Sequence, residues 1–188
     1  MSEKNAKNLG ILGKEGTVFI MVDIQEKFLP VIHDMKKVIG NSGRLVHASE
    51  ILGIPLIVTE QYPKGLGKTL KEIRLPHGMR PIEKTEFSCF GNGEFRRAAK
   101  ALNAKALVIF GIEAHVCVLQ TVLDALSLGY QVHVVADAIS SRTEENKNIA
   151  MRRMRHAGAF IASTEMVLFQ LLGKAGTEEF RKVSALVK

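Results

Sequence analysis

Short apolar runs of strand length alternate along this chain with segments whose apolar residues recur at helical spacing. Thr17–Val22 is a continuous apolar run rich in β-branched and aromatic residues, and it predicts a buried strand. Val38–Leu52 follows as a helix, with Val38, Leu45, Val46, Ser49 and Leu52 near one face. Pro55–Thr59 and Ala106–Phe110 predict two further strands. In Val116–Leu128, Leu119, Val122, Leu123 and Leu126 form the stripe of an amphipathic helix, and Gly129 suits the position just past its end. Val132–Ala136 predicts another strand, Glu144–His156 a helix and Ala159–Ala162 a last short strand. Strands that are apolar throughout and alternate with helices need cover on both faces. The expected fold class is therefore α/β: a doubly wound, mostly parallel sheet with helices on both faces, a Rossmann-like three-layer arrangement. Glu60–Arg80 breaks the alternation, because Pro63, Gly65, Gly67, Pro76 and Gly78 mark it as loop. Loops beyond about 12–15 residues in a compact domain are usually lids or binding loops.

The chain has 188 residues, enough for one domain, read as a core over about 17–172 with a polar arm at 1–14 and a polar tail at 173–188. Hydrophobic residues make up 46% and charged residues 24%, which excludes whole-chain disorder. No apolar run approaches the roughly 18 residues of a membrane-spanning helix, so no membrane partner is expected. Met1–Lys7 carries charges without an apolar stretch behind them, which does not read as a secretory signal. Two cysteines are too few for a disulfide scaffold. A cytoplasmic location with both thiols free follows as the expectation. The formal charge of +7 raises the question of nucleic acid. The basic residues are spread out, however, and the densest cluster, Arg152-Arg153-Met154-Arg155, has no aromatic residue to stack a base. The expected partner is a small-molecule substrate, not nucleic acid.

In a doubly wound sheet, ligands bind beyond the carboxyl ends of the strands, so polar residues directly after apolar strands are the first candidates. These are Asp23, Glu60, Gln61, Cys117 and Asp137. Cys117 has two readings. Free cysteine is usually a buried small hydrophobe; at a helix start, the free N–H groups and the dipole would instead favour a reactive thiolate. Asp23 could cap the turn after its strand or serve as base to the thiol. Lys84 alone reads as a solvated lysine, and Cys89 as packing. His115 is two residues from Cys117, a spacing that does not bring side chains together on a helix. The six histidines show no metal-ligand spacing.

Four blocks taken together resemble the isochorismatase-like cysteine hydrolases over nearly the whole chain, roughly Thr17 to Leu172. They are Val22-Asp23-Ile24-Gln25-Glu26-Lys27-Phe28, Ile82-Glu83-Lys84-Thr85-Glu86-Phe87-Ser88, Gly111-Ile112-Glu113-Ala114-His115-Val116-Cys117-Val118 and Val134-Val135-Ala136-Asp137-Ala138. Thr59-Glu60-Gln61-Tyr62-Pro63-Lys64-Gly65-Leu66-Gly67 is most similar to the isochorismatase-domain-containing proteins. The resemblance implies a catalytic triad of Asp23, Lys84 and Cys117. It also implies a non-proline cis peptide at Ile112–Glu113, with the backbone N–H groups of Glu113 and Cys117 as an oxyanion hole. A substrate pocket near Gln25, Phe28, Gln61, Tyr62, Phe87 and Phe90 would go with it. Nicotinamidase-like relatives carry an Asp-x-His metal motif where this chain has Glu60-Gln61-Tyr62-Pro63, so no metal and no cofactor are expected.

The reading that results is a metal-independent cysteine hydrolase of small amide or carbamoyl C–N bonds. Two alternatives stay open: an isochorismatase-type vinyl-ether hydrolase using Asp23 without the cysteine, and a non-catalytic interaction protein that keeps the fold. Relatives are generally oligomers. The apolar stretch Met151, Met154, Phe160, Met166, Leu168, Phe169, Leu171 and Leu172, followed by a short polar tail, adds an expectation of a homo-oligomer.

Overall fold

The computed structural model describes residues 9–188, so the reading of Met1–Lys7 lies outside the described residues. Six strands run β1 (Thr17–Val22), β2 (Leu56–Gln61), β3 (Ile82–Lys84), β4 (Ala106–Ile112), β5 (Gln131–Ser140) and β6 (Phe160–Ala162). They form one sheet in the order β3-β2-β1-β4-β5-β6, and every neighbouring pair is parallel. Seven helices flank it: α1 (Met35–Leu52), α2 (Pro63–Leu66), α3 (Gly93–Ala101), α4 (Leu119–Ser127), α5 (Glu144–His156), α6 (Thr164–Leu172) and α7 (Glu178–Leu186).

The apolar runs become strands because both faces of the sheet are covered. All residues of β1 and β4 are buried. Phe19, Met21 and Phe110 belong to one core layer with α1, α6 and α7, and the Phe19 and Phe110 rings meet edge to face at 6.2 Å. Val18, Ile20, Val22, Leu107 and Ile109 point the other way, toward Phe95 and Ala99 of α3, Val122 of α4 and Met154 of α5. The chain leaves β1 toward β2 on one side and returns to β4 on the other, so the strand order reverses between β1 and β4. At that seam Gly111 has φ +118, and a Cβ there would stand 2.1 Å from the Val22 carbonyl oxygen. Only glycine lets the two backbones close at this point.

Several boundaries differ from the sequence reading, each for a physical reason. β2 continues to Gln61, so the loop begins at Tyr62 and holds the short α2. β5 continues past Ala136 to Ser140, which places Asp137 inside the strand. Its carboxylate accepts from the Thr164 backbone N–H at 2.8 Å and hydroxyl at 2.9 Å, anchoring the start of α6. Asp137 is thus a structural anchor.

The polar tail is also corrected. Thr177 caps α7 by accepting from the Phe180 N–H, Glu178 and Glu179 fill its first turn, and Val183 is buried in the core. This helix packs on α1 and α6. Much of the apolar stretch that suggested an open face is therefore internal. Met154, Leu168 and Leu171 are buried, and Phe169 lies 6.3 Å from the Phe180 ring of α7. Leu12 of the arm is buried too, its N–H donating to Gln170. Among the described residues, no helix is long and apolar enough to cross a membrane.

Candidate active site

Asp23 follows the last residue of β1 with φ +53, a backbone conformation that aspartate tolerates better than most residues. It is wholly buried, and two donors hold its carboxylate. The Lys84 ammonium donates to Oδ2 at 2.7 Å, and the Thr59 hydroxyl donates to Oδ1 at 2.7 Å. Lys84 ends β3, where the parallel register sets it beside Gln61. Its ammonium also donates to Gln61 Oε1 at 2.7 Å and to the carbonyls of Glu86 and Phe87 at 3.3 Å. Each oxygen of the buried carboxylate thus has a donor and the ammonium has acceptors for all its protons, the condition under which buried charge is tolerated.

The third element comes from the turn after β4. The Ile112–Glu113 peptide is cis, and Ala114–Val118 forms a single π-helical turn closed by the Val118 N–H on the Glu113 carbonyl at 3.2 Å. Such widened turns re-aim side chains and recur at functional sites. Here the turn carries Cys117 onto the face where Asp23 and Lys84 lie. The structure therefore brings together the three residues that the sequence placed far apart.

The charge state of the thiol corrects an expectation. Placement at a helix start predicted a depressed pKa, yet Cys117 sits in the π turn before α4 and is only 6% exposed. Burial, and then the Asp23 carboxylate beside it, push the thiol well above its ordinary range, while Lys84 pulls the other way. Burial would lower the Lys84 pKa, but the Asp23 carboxylate to which it is hydrogen-bonded holds it above its ordinary value. The resting site therefore holds a thiol, a carboxylate and an ammonium.

Other sequence candidates divide. Gln25 is buried and committed to the protein: its Nε2 donates to the carbonyls of Gln61 (3.0 Å) and Gly67 (2.7 Å), and its Oε1 accepts from the Gln61 N–H. Gln61 holds Lys84 and donates to the Thr85 carbonyl at 2.8 Å. Both are held by hydrogen bonds to the protein, and Gln61 also braces Lys84. Phe90 is buried and packed edge to face on Phe95 at 5.0 Å. Phe28 is half-buried against the core, whereas Tyr62 and Phe87 are each 54% exposed. Tyr62 lines a cleft with Glu83, Lys84, Thr85 and Glu86.

Glu60, at the position of the expected metal departure, is buried and accepts from the Thr69 N–H (2.7 Å) and hydroxyl (2.8 Å) and from Lys68. It ties the loop after α2 to the sheet. Glu113 is buried and its carboxylate is paired with Arg142 at 3.3 Å. His115 turns to Ser141, 3.0 Å away.

Two residues at the site were missed in the sequence. Thr59 looked like strand filler, and Cys89 like packing. Cys89 is fully buried 3.8 Å from the Thr59 hydroxyl, with its N–H on Thr121, whose own hydroxyl donates to the Cys117 carbonyl. Burial pushes its thiol up to about 11. The one usable signal was the alternation Thr59-x-Gln61, which puts both side chains on one face of β2.

Comparison with known proteins bears on the family and the fold. Residues 17–166 match the isochorismatase domain model. The chain is 39% identical over 179 residues to isochorismatase domain-containing protein 2 of Danio rerio, covering 95% of this chain and 90% of that one. A Caenorhabditis elegans structure described as MAR1 ribonuclease is 38% identical, with TM-score 0.88 over 94% of this chain and 91% of that one. The YcaC product of Escherichia coli, described as an octameric hydrolase of unknown specificity, is 27% identical with TM-score 0.86, covering 97% and 89%. With sequence, sheet order and domain model in agreement, this chain belongs to the isochorismatase domain family.

Proposed function

We propose that this chain is a cysteine hydrolase of a small-molecule amide or carbamoyl C–N bond, with Cys117 as nucleophile, Asp23 as general base and acid, and Lys84 as their cationic partner. The observation that carries the reading is a hydrogen-bonded Asp23–Lys84 ion pair, 2.7 Å across, buried beside a thiol. An ion pair in that position costs desolvation without any evident gain in packing, and such perturbed clusters concentrate at functional sites.

The steps follow from the resting protonation. Because the thiol is neutral, the proton must leave as the substrate carbonyl is attacked, and Asp23 is the base beside it. The sulfur forms a bond to the carbonyl carbon while the N–H groups of Glu113 and Cys117 receive the developing oxyanion. Each such donor contributes about 10²–10³ in rate. Collapse breaks the C–N bond, and the proton on Asp23 goes to the departing nitrogen, leaving a thioester. Asp23, again a carboxylate, takes a proton from water as its oxygen attacks the thioester, and the thiol leaves with that proton. Every proton moves among Asp23, Cys117, substrate and water, so the cycle closes without a cofactor.

RNA cleavage, suggested by the description of the Caenorhabditis relative, calls for cations free to meet phosphate. Lys84 is instead enclosed by four protein acceptors. Two thiols without a disulfide suit a reducing compartment, the cytoplasm. The octameric state of the Escherichia coli relative and the exposed Met166 and Phe169 support a homo-oligomer here. Sedimentation equilibrium should give a species heavier than one 20.7 kDa chain. The function itself is tested by ammonia release across a panel of small amides and carbamoyl compounds: Cys117→Ser should abolish release, and chelator should leave it unchanged. Full turnover in Cys117→Ser would leave only the vinyl-ether or non-thiol readings.

A further inference from the structure

Asp23 must present the same carboxylate edge to Cys117 in acylation and to water in deacylation, and a carboxylate turns about its terminal torsion unless both oxygens are held. Lys84 holds Oδ2, and Thr59 holds Oδ1 at 2.7 Å. The Thr59 hydroxyl has one proton. An ionised carboxylate can only accept, so that proton goes to Asp23. The Cys89 sulfur lies 3.8 Å from the same hydroxyl, and its raised pKa keeps it a thiol. The remaining contact is therefore from the Cys89 S–H to the Thr59 oxygen, which leaves the hydroxyl no acceptor but Asp23 within the pair.

We propose that Thr59, backed by Cys89, is a positioning residue that fixes the orientation of the Asp23 carboxylate so that it acts as base in both half-reactions. This inference rests on the reading of Cys117 as nucleophile and Asp23 as base. Thr59 does not touch the substrate; it acts through Asp23. Its place on β2, in register with Val22 of β1, gives it the rigidity that a loop donor would lack. The titratable groups that face Asp23 are Lys84 from β3, Cys89 from the turn after β3 and Cys117 from the π turn.

The test uses p-nitrophenyl acetate, whose ester carbonyl would form the same thioester on Cys117 while releasing a chromophore. A burst reports acylation, and the steady rate after it reports deacylation, in which the thiol no longer titrates and Asp23 alone is the base. Thr59→Val keeps the β-branched shape and removes the donor. It should slow deacylation about tenfold, because a carboxylate that loses a donor on one oxygen is free to turn away from the attacking water. Thr59→Ser, which restores the donor, should restore the rate within about twofold. A wild-type rate in Thr59→Val, or a Thr59→Ser protein as impaired as Thr59→Val, overturns the inference. Controls separate this from failure of the underlying reading. Cys117→Ser should give no burst, and Asp23→Asn, which lacks the base of both half-reactions, should give neither a burst nor turnover. If Cys117→Ser still bursts, the nucleophile assignment fails whatever Thr59 does. If both controls behave as expected while Thr59→Val is unchanged, the positioning role alone is wrong.

Discussion

At the carboxyl end of β1 the chain buries two charges, whereas midway along β5 it buries one titratable ring and leaves it uncharged. The first place is the Asp23–Lys84 pair, in which each charge meets the other and further hydrogen bonds complete the set. The second is His133, 1% exposed, stacked on Phe160 at 5.1 Å and accepting at Nε2 from the Gln131 amide. Burial lowers its pKa to about 4, and no carboxylate is placed to oppose that. One site keeps its charge through partners and the other gives its charge up. The same fold thus buries charge where partners compensate it and buries a ring uncharged where they do not.

The largest expected effect breaks the first site. Lys84→Met leaves the Asp23 carboxylate buried without its counter-charge and should cost about 3–5 kcal/mol of stability along with all turnover. Urea unfolding measures the first, amide hydrolysis the second. Asp23→Asn combined with Lys84→Met should recover most of the stability and none of the activity, since the pair is not required to hold the sheet together.

The second site should show itself in pH. His133 binds its proton near pH 4 when folded and near 6.5 when unfolded. Its contribution is therefore fully present above about pH 6.5 and is lost as pH falls toward 4, amounting to about 3 kcal/mol. His133→Leu should flatten that part of the stability profile; an unchanged slope would place the titration elsewhere.

A subtler comparison sets the two thiols side by side. Cys117 should react with iodoacetamide faster than Cys89, which has no exposed surface. Asp23→Asn should accelerate labelling of Cys117 further, about tenfold, because it removes a charge that holds the thiol up and leaves Lys84, which draws it down. Slower labelling of Cys117 in that variant would contradict the electrostatics described. The smallest effect belongs to an exposed ion pair. Lys14 and Glu179 meet at 2.7 Å with more than a third of each side chain in water, and Lys14→Ala should change stability by no more than about 0.5 kcal/mol.

The sequence made some elements plain and hid others. β1, β4 and α5 were legible because length and period agree with burial, and α5 keeps the predicted bounds Glu144–His156. β3 was not, since it has three residues and alternates buried Ile82 and Lys84 around an exposed Glu83, a pattern too short to carry a period. α3 and α7 bury few residues each, so their polar faces dominate the composition. At the site, the resemblance picked out Asp23, Lys84 and Cys117, but the protonation of Cys117 depended on depth and on a neighbour 94 positions away in sequence, counted as 117 minus 23. Gln25 and Gln61 were expected near the pocket with the resemblance, and their hydrogen bonds to Gly67, Thr85 and Lys84 depend on side-chain rotation, which spacing does not encode.

The close approach at Gly111 has a consequence for how the chain comes together. Asp23, Lys84 and Cys117 meet only when β1 lies between β2 and β4, with β3 already seated on β2. Parallel pairings of this kind join distant parts of the chain and form late, after long loops have closed. Until then both cysteines are ordinary thiols in water, with pKa values near 8.5. The nascent chain is therefore more open to alkylation and oxidation than the finished one, and completing the sheet shields the thiols at the same step that assembles the site.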